Sequence, residues 1–458
     1  MNKLFSLIYT LVLLALLSVT NPAYAQDFDD LGDLGDSSSE DTSDSSTAEE
    51  PKKQAIQFGG YVKPLAYWQS VRYSDEAWSA MQTFEALGRT VPSEQESAGY
   101  SDLGIRYQFN LEAFLKDQAR FFMAVNIEYN EVSDETKPPA TMRPVEAYLE
   151  IYQGSSTWKI GSQLVTWGYM EGVEVPADRI NAKDSSYNST EYEDIKMAST
   201  AVQLKQSLGD FTGIDLIFIP LAKANIDPVA NEFFYNVDDE KLDKTTGNSK
   251  VGARLYTTLG DLDLSLSYVE GLDTIADVTV SDGYDIGRTY HKEKSPGVDM
   301  QYNLGSFFWK LSYVSHITED SDGTDQNIKN SWDHVATGIE SSFGSSTINL
   351  YVGQMAVKDW EQNSATATIA NQLMGQSSER TDFISGHITS SFLTGDALST
   401  TLIFAQYKDA DGEVIKLFAK PTLSYKITDG LQVMASPTYV NAADTYFSQM
   451  QTELKYSF

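Results

Sequence analysis

The chain has 458 residues, 41% of them hydrophobic, with no cysteine and 65 acidic against 33 basic residues, a formal net charge of −32. Without cysteine there is no disulfide framework and no thiol chemistry, and so acidic a balance argues against nucleic acid as a partner while suiting loops that bind divalent cations. Mean hydropathy is negative, yet aromatics reach 12%, with 26 Tyr and 21 Phe.

Residues 1–25 read as a secretory signal peptide. Lys3 supplies the positive start, Leu4 to Val19 is almost wholly apolar, and Ala23-Tyr24-Ala25 is a small-x-small cleavage site. The apolar run is short for a membrane-spanning helix and Pro22 interrupts its end. No cysteine follows to carry a lipid anchor.

Residues 26–53 change composition sharply. Asp27 to Glu50 holds ten acidic residues, many Ser and Thr, and no Lys or Arg. Such a segment buries too little apolar area to offset its ordering entropy, which predicts disorder. It serves as a solvated spacer or as a docking peptide built on Phe28, Leu31 and Leu34. Apart from this segment and Lys3, residues 51–458 keep 55 acidic against 32 basic residues.

From residue 54 to residue 458 the chain alternates. Leu103, Ile105, Tyr107, Phe109, Leu111, Ala113 and Leu115 fall on one face of a strand. Gly104, Arg106, Gln108, Asn110, Glu112 and Phe114 fall on the other. Phe121 to Tyr129 repeats the pattern, with Arg120, Phe122, Ala124, Asn126 and Glu128 opposite. The runs have the roughly 9–11 residues of a tilted membrane strand, against about 5–6 for a soluble sandwich strand. A chain that enters a membrane without apolar helices must close into a barrel, because every backbone polar group needs a partner there.

Short turns are predicted near 116–118, 154–156, 209–211, 260–261, 305–306, 344–346, 394–396 and 428–430. Leu208-Gly209-Asp210, Leu259-Gly260-Asp261, Leu304-Gly305-Ser306 and Phe343-Gly344-Ser345 repeat one pattern, with Gly supplying the positive φ of tight turns. Long polar segments lie near 74–100, 131–142, 167–197, 220–248, 271–294, 318–332 and 357–381. The last two connections, near 408–412 and 441–445, are short. The expected fold is all-β: a transmembrane, antiparallel, up-and-down β-barrel of about 18 strands, with 16 as the alternative count. Both chain ends fall on the side of the short turns, the periplasmic side in this architecture. A soluble sandwich or β-helix explains neither that asymmetry nor the strand lengths.

One face of each run must meet lipid, and the other is polar. Barrels of this size keep an aqueous lumen, so the pattern implies a channel for small polar solutes. Arg106, Arg120, Lys159 and Lys205 interleave with Glu112, Glu128, Glu146 and Glu150 on the inner face. Such a ladder either sets a transverse field that selects solutes or only pairs across strands to satisfy the wall. Arg254 and Lys310 should face the same lumen.

The sharpest local feature is Lys159-x-Gly161-x-Gln163-x-x-x-Trp167-Gly168, followed by Asp178-x-x-Asn181-x-x-Asp184. It resembles a motif of large Gram-negative outer-membrane porins related to the alginate-export channels. The likeness covers about 27 residues. Ala182 stands where that motif often has Pro, and Ser162 where a basic residue is common. The segment after Trp167 opens the third long loop. The resemblance implies that 167–197, carrying Asp178, Arg179, Asn181 and Asp184, is the constriction; an external flap is the alternative.

The C-terminal run places Leu454, Tyr456 and Phe458 on one face and Glu453, Lys455 and Ser457 on the other. It resembles the terminal strand of Gram-negative outer-membrane barrels, which implies that the barrel-assembly machinery reads it and that the protein lies in the cell outer membrane, with both termini periplasmic. Ile56 to Arg72 is the strand expected to pair with it. No enzyme is implied: His291, His316, His334 and His387 are scattered, no metal-ligand spacing or GxSxG motif is present, and no cofactor is expected. The expected partners are outer-membrane lipid, the assembly machinery, a small polar solute, and divalent cations on the acidic loops. The alternative function is a plugged barrel acting in adhesion or interaction through its acidic loops or tail.

Overall fold

A computed structural model describes residues 56–458, apart from 76–77, 80–93, 116–117, 132–138, 173–174, 186–191, 227–236, 240–245, 281–285, 326, 361–375, 377 and 443–444. The segments read from sequence as a signal peptide and an acidic disordered tail, and parts of several long loops, lie outside the described residues.

Eighteen strands form one sheet. In chain order they are β1 (Ile56–Tyr73), β2 (Glu96–Leu115), β3 (Ala119–Asn130), β4 (Ala140–Gln153), β5 (Ser156–Gln163) and β6 (Ser199–Ser207). Next come β7 (Thr212–Ile219), β8 (Lys250–Leu259), β9 (Leu262–Leu272), β10 (Lys292–Asn303), β11 (Phe307–Thr318) and β12 (Trp332–Phe343). The last are β13 (Ser346–Val357), β14 (Arg380–Phe392), β15 (Leu398–Lys408), β16 (Val414–Thr428), β17 (Leu431–Ala442) and β18 (Thr445–Ser457).

Each strand pairs antiparallel with its sequence neighbours, and β18 returns to β1, from Tyr61 opposite Ser457 to Tyr73 opposite Thr445. The sheet is therefore a closed up-and-down barrel with no free edge, and 18 is the strand number. At the seam, the Gly60 and Phe458 backbones exchange hydrogen bonds at 3.0 and 3.1 Å. Gly154 (φ 61°), Gly260 (φ 64°) and Gly344 (φ 59°) turn tight hairpins at one end. The long connections sit at the other.

Outward positions carry exposed apolar side chains, among them Val202, Leu216, Phe218, Leu255, Leu266, Ile339, Val352, Ile384 and Val433. Exposed Phe109, Phe343, Phe392, Tyr425 and Phe458 add aromatic rings toward the short-turn end. A continuous apolar belt on a closed barrel is the surface a bilayer solvates. Phe109 and Phe458 meet edge to face across the rim, with centroids 6.4 Å apart. Inward positions are largely polar, with Gln163, Ser265, Ser312, Asn349 and Ser436 all buried.

Two details differ from the sequence reading. β2 begins at Glu96, inside the segment read as a loop, because its pairing with β1 continues to Arg72 opposite Glu96. Residues 96–100 are exposed on both faces, so no apolar alternation marks them. The inner wall is also not uniformly polar. Phe122, Ala124 and Tyr148 form one inward apolar cluster, and two larger ones lie where a loop covers the wall.

Candidate pore constriction

The feature that organises the lumen is the connection from β5 to β6. β5 is only eight residues long because the chain leaves the wall after Gln163. That side chain is fully buried and donates to the carbonyls of Lys159 (3.2 Å) and Ala201 (3.3 Å). Glu146 accepts the Leu164 N–H at 2.8 Å, satisfying the first amide released from the ladder. Asn181 then ties the two ends of the excursion. It accepts from the Val165 N–H (3.1 Å) and donates to the Val165 carbonyl (2.7 Å).

Between those points the loop runs against the inner wall. The Trp167 indole donates to Asp215 on β7 at 2.9 Å, and Gln203 on β6 holds both oxygens of the same carboxylate. The Trp167 ring lies over Gly252 of β8, where a Cβ would come within 2.7 Å of it. Gly168, at φ 95°, turns the chain beside Asp299 of β10. Tyr169 receives the Arg254 guanidinium at 5.4 Å from its ring centroid, and burial pushes its phenol pKa up.

The tip reaches the far side. Met170 packs with Ala336 of β12, Tyr351 of β13, Phe383 of β14, and Ile403, Ala405 and Tyr407 of β15. In a ring of eighteen strands, β13 to β15 stand opposite β5, so the loop crosses the lumen. On the way back, Arg179 enters a socket lined by small residues, donating to Ser267 Oγ (2.9 Å) on β9 and to the Ser295 carbonyl (3.0 Å) on β10. Gly297 leaves the room it needs. Buried Lys250 donates to the Arg179 carbonyl at 3.1 Å. Asp178 bridges Lys183 (3.2 Å) and Lys196 (3.5 Å). Burial acts to raise its pKa, but the two ammonium groups outweigh that and hold the carboxyl below the usual range. Asp184 pairs with Arg143 of β4 at 3.5 Å.

The other residues singled out in the sequence lie on the adjoining wall. Arg106 pairs with Glu128 at 2.8 Å, directly across β2 and β3. Arg120 joins Glu112 and Glu150. Lys159 reaches Glu146 at 3.8 Å and lies 3.8 Å from the Tyr148 ring centroid. Lys205 is exposed at the short-turn end of β6, the end opposite the loop. Arg254 and Lys310 face inward as expected, Lys310 pairing with Glu340. Leu454, Tyr456 and Phe458 lie on the outward face of β18, while Glu453 pairs inward with Lys63 at 3.1 Å.

Sequence reasoning missed the wall partners of the loop. Asp215 had a signal, being the one charge in Thr212–Ile219. The small inward residues Ser265, Ser267, Ser295 and Gly297 had one only in hindsight, as a socket in the wall.

No protein-family model matches the sequence, and no curated protein matches it. Solved structures do match in fold. OccAB4 of Acinetobacter baumannii superposes at a TM-score of 0.52 with 10% identity, over 89% of this chain and 100% of that one. The outer membrane protein OpdK of Pseudomonas aeruginosa gives 0.53 with 9% identity, over 88% and 98%. OccK9 (OpdG) of Pseudomonas aeruginosa gives 0.53 with 7% identity, again over 88% and 98%. At these identities the likeness is one of fold.

Proposed function

We propose that this protein is an outer-membrane porin, a water-filled channel for small polar solutes that the β5–β6 loop narrows. The observation that carries the reading is the crossing itself: a closed 18-strand barrel whose lumen is spanned by a loop tied to both walls. Barrels of this size are too wide to fill with wall side chains alone, so the loop sets the width of the path. The fold likeness to an outer membrane protein supports a Gram-negative outer-membrane location. The outward run Leu454, Tyr456 and Phe458 supports recognition of β18 by the barrel-assembly machinery, with both termini periplasmic.

The likeness of Lys159–Asp184 to porins related to the alginate-export channels gives a shared logic for the motif. Gln163 and Asn181 govern where the chain leaves and rejoins the wall, Trp167 and Gly168 start the crossing, and Asp178 and Asp184 hold the return. Planar-bilayer recording tests the reading. The purified barrel should conduct, and deletion of 167–197 should raise its unit conductance severalfold. A folded barrel that passes no current would sink the proposal.

A further inference from the structure

The long-loop end of the barrel differs from one side to the other on its outward face. On β3, β4, β7 and β8 that face stays apolar or aromatic to the end, with Tyr129, Met142, Phe218 and Val251 exposed. On β11 to β15 the outward positions at that end are polar and joined to one another. Lys358, just past β13, reaches Asp333 of β12 at 2.9 Å and donates to Ser315 of β11 at 3.2 Å. The Tyr313 hydroxyl donates to the same carboxylate at 3.2 Å. On β14, Arg380 pairs with Asp382 at 3.1 Å, and Gln354 of β13 donates to Asp382 at 2.8 Å. Exposed Lys408 of β15 stands opposite Asp382 in the ladder and has no ion pair among the described residues.

Alternation turns these side chains away from the lumen, since Thr381, Phe383 and Tyr407 beside them are the buried, inward ones. Charge on the lipid face is costly at mid-bilayer and nearly free at the interface. The patch therefore lies at headgroup depth, above exposed Val352 and Ile384 of the apolar belt. Its flank on β9 and β10 is balanced, with Glu270 opposite Lys294 and Lys292 beside Glu319. The patch itself has three bases against two acids, and donors to spare. A guanidinium offers five and an ammonium three, yet Arg380 makes one ion-pair contact and Lys408 none among the described residues. Spare donors on Arg and Lys suit phosphate, while Asp382, Gln354 and Tyr313 between them suit sugar hydroxyls. Asp409, Asp411 and Glu413 in the turn above repel an anion arriving from water, which leaves the leaflet as the side of approach.

We infer that this patch binds the phosphorylated sugar headgroup of an outer-leaflet glycolipid, held by Lys358, Arg380 and Lys408. This rests on the outer-membrane placement proposed above.

The test is native mass spectrometry of the detergent-purified barrel titrated with lipid A or with phosphatidylglycerol. Lipid A should bind one per barrel and more tightly than phosphatidylglycerol. Lys358→Gln/Arg380→Gln/Lys408→Gln should weaken that binding about tenfold or more, the worth of one charge-assisted hydrogen bond. Because that variant leaves Asp333 and Asp382 unpaired, Lys408→Gln alone is a second arm. It strands no partner and should weaken binding severalfold. Arg72→Gln, at an exposed outward base on β1, should change nothing. Equal binding of the two lipids, displacement of lipid A by millimolar inorganic phosphate, or variants that bind as the intact protein does would overturn the inference. Conductance keeps the readings apart, because the patch lies outside the lumen and every variant should conduct normally. A barrel that conducts but does not bind lipid A overturns this inference alone. One that binds it and passes no current overturns the channel reading alone, and recovery of the protein in the inner membrane overturns the placement.

Discussion

At Trp167 the whole anchoring of the loop depends on what its neighbour lacks. The indole needs the bare backbone of Gly252 beneath it, and a Cβ there would also press within 2.9 Å of Ile217. Gly252→Val should therefore expel the ring from its slot, separate it from Asp215, and raise unit conductance, while the strand pairing of β8 with β7 and β9 survives. Overpacking of this kind costs about 1–3 kcal/mol locally, small against a closed barrel, so heat-modifiable migration of the folded form in detergent gels should persist. Asn181→Ala leaves both Val165 groups unpartnered at a buried site, a cost of roughly 1–3 kcal/mol, and should have the same effect on conductance. Asp178 gives the loop a pH dependence of known sign. Its folded pKa lies below the ordinary value, so its contribution is full above the unfolded pKa of about 3.9 and is lost as pH falls through the folded one. Unit conductance should thus be steady from neutral pH to about pH 4 and rise below it, and Asp178→Asn should remove the part of that rise due to this cluster.

At the scale of elements, alternation and turn chemistry carried most of the barrel. Short glycine turns and roughly ten-residue runs marked the hairpins, and the outward face of β18 was readable to its last residue. What stayed hidden were features that alternation does not encode. The start of β2, residues 96–100, is exposed on both faces, although its pairing with β1 continues to Arg72 opposite Glu96. The apolar wall patch at Tyr351, Phe383 and Tyr407 reads as an exception to polar-inward until Met170 is seen against it. The Lys159–Asp184 motif announced that its residues act together, but the groups that hold it are spread along the chain, from Arg143 and Glu146 before it to Asp215 and Tyr407 after it, and no local pattern joins them. The seam offers its own prediction. Gly60 meets the partner strand so closely that a Cβ would lie 2.0 Å from the Gln108 carbonyl oxygen, and its backbone exchanges hydrogen bonds with Phe458. Gly60→Val should distort β1 on both sides, and removal of Phe458 should cost the closing pair. Both variants should lower the yield of folded, heat-modifiable barrel in membranes more than a substitution at an outward mid-barrel position such as Val352→Ala.

For the molecule as a whole, the loop makes the barrel a ring with a strut. It starts on β5, is pinned along β7 to β10 by Trp167 and Arg179, and seats Met170 against β12 to β15. A strut held at several points behaves differently from a flap hinged at one. Closing and opening of a flap would give large, slow current steps, whereas a strut gives one steady level until its contacts fail. The absence of cysteine in the chain makes this directly measurable. With Met170→Cys and Ala336→Cys introduced together, a short bifunctional thiol crosslinker should join the two in the folded protein within the same barrel. Because the contact it fixes is already made, crosslinking should leave mean conductance unchanged and reduce only its fluctuations. A control pair, Glu171→Cys with Lys205→Cys, joins the loop tip to the turn end of the β6 wall, so it should crosslink poorly. Efficient linking of the control pair, or a large drop in current when Met170 and Ala336 are joined, would show that the loop spends its time elsewhere. The lumen would then be gated by movement rather than braced.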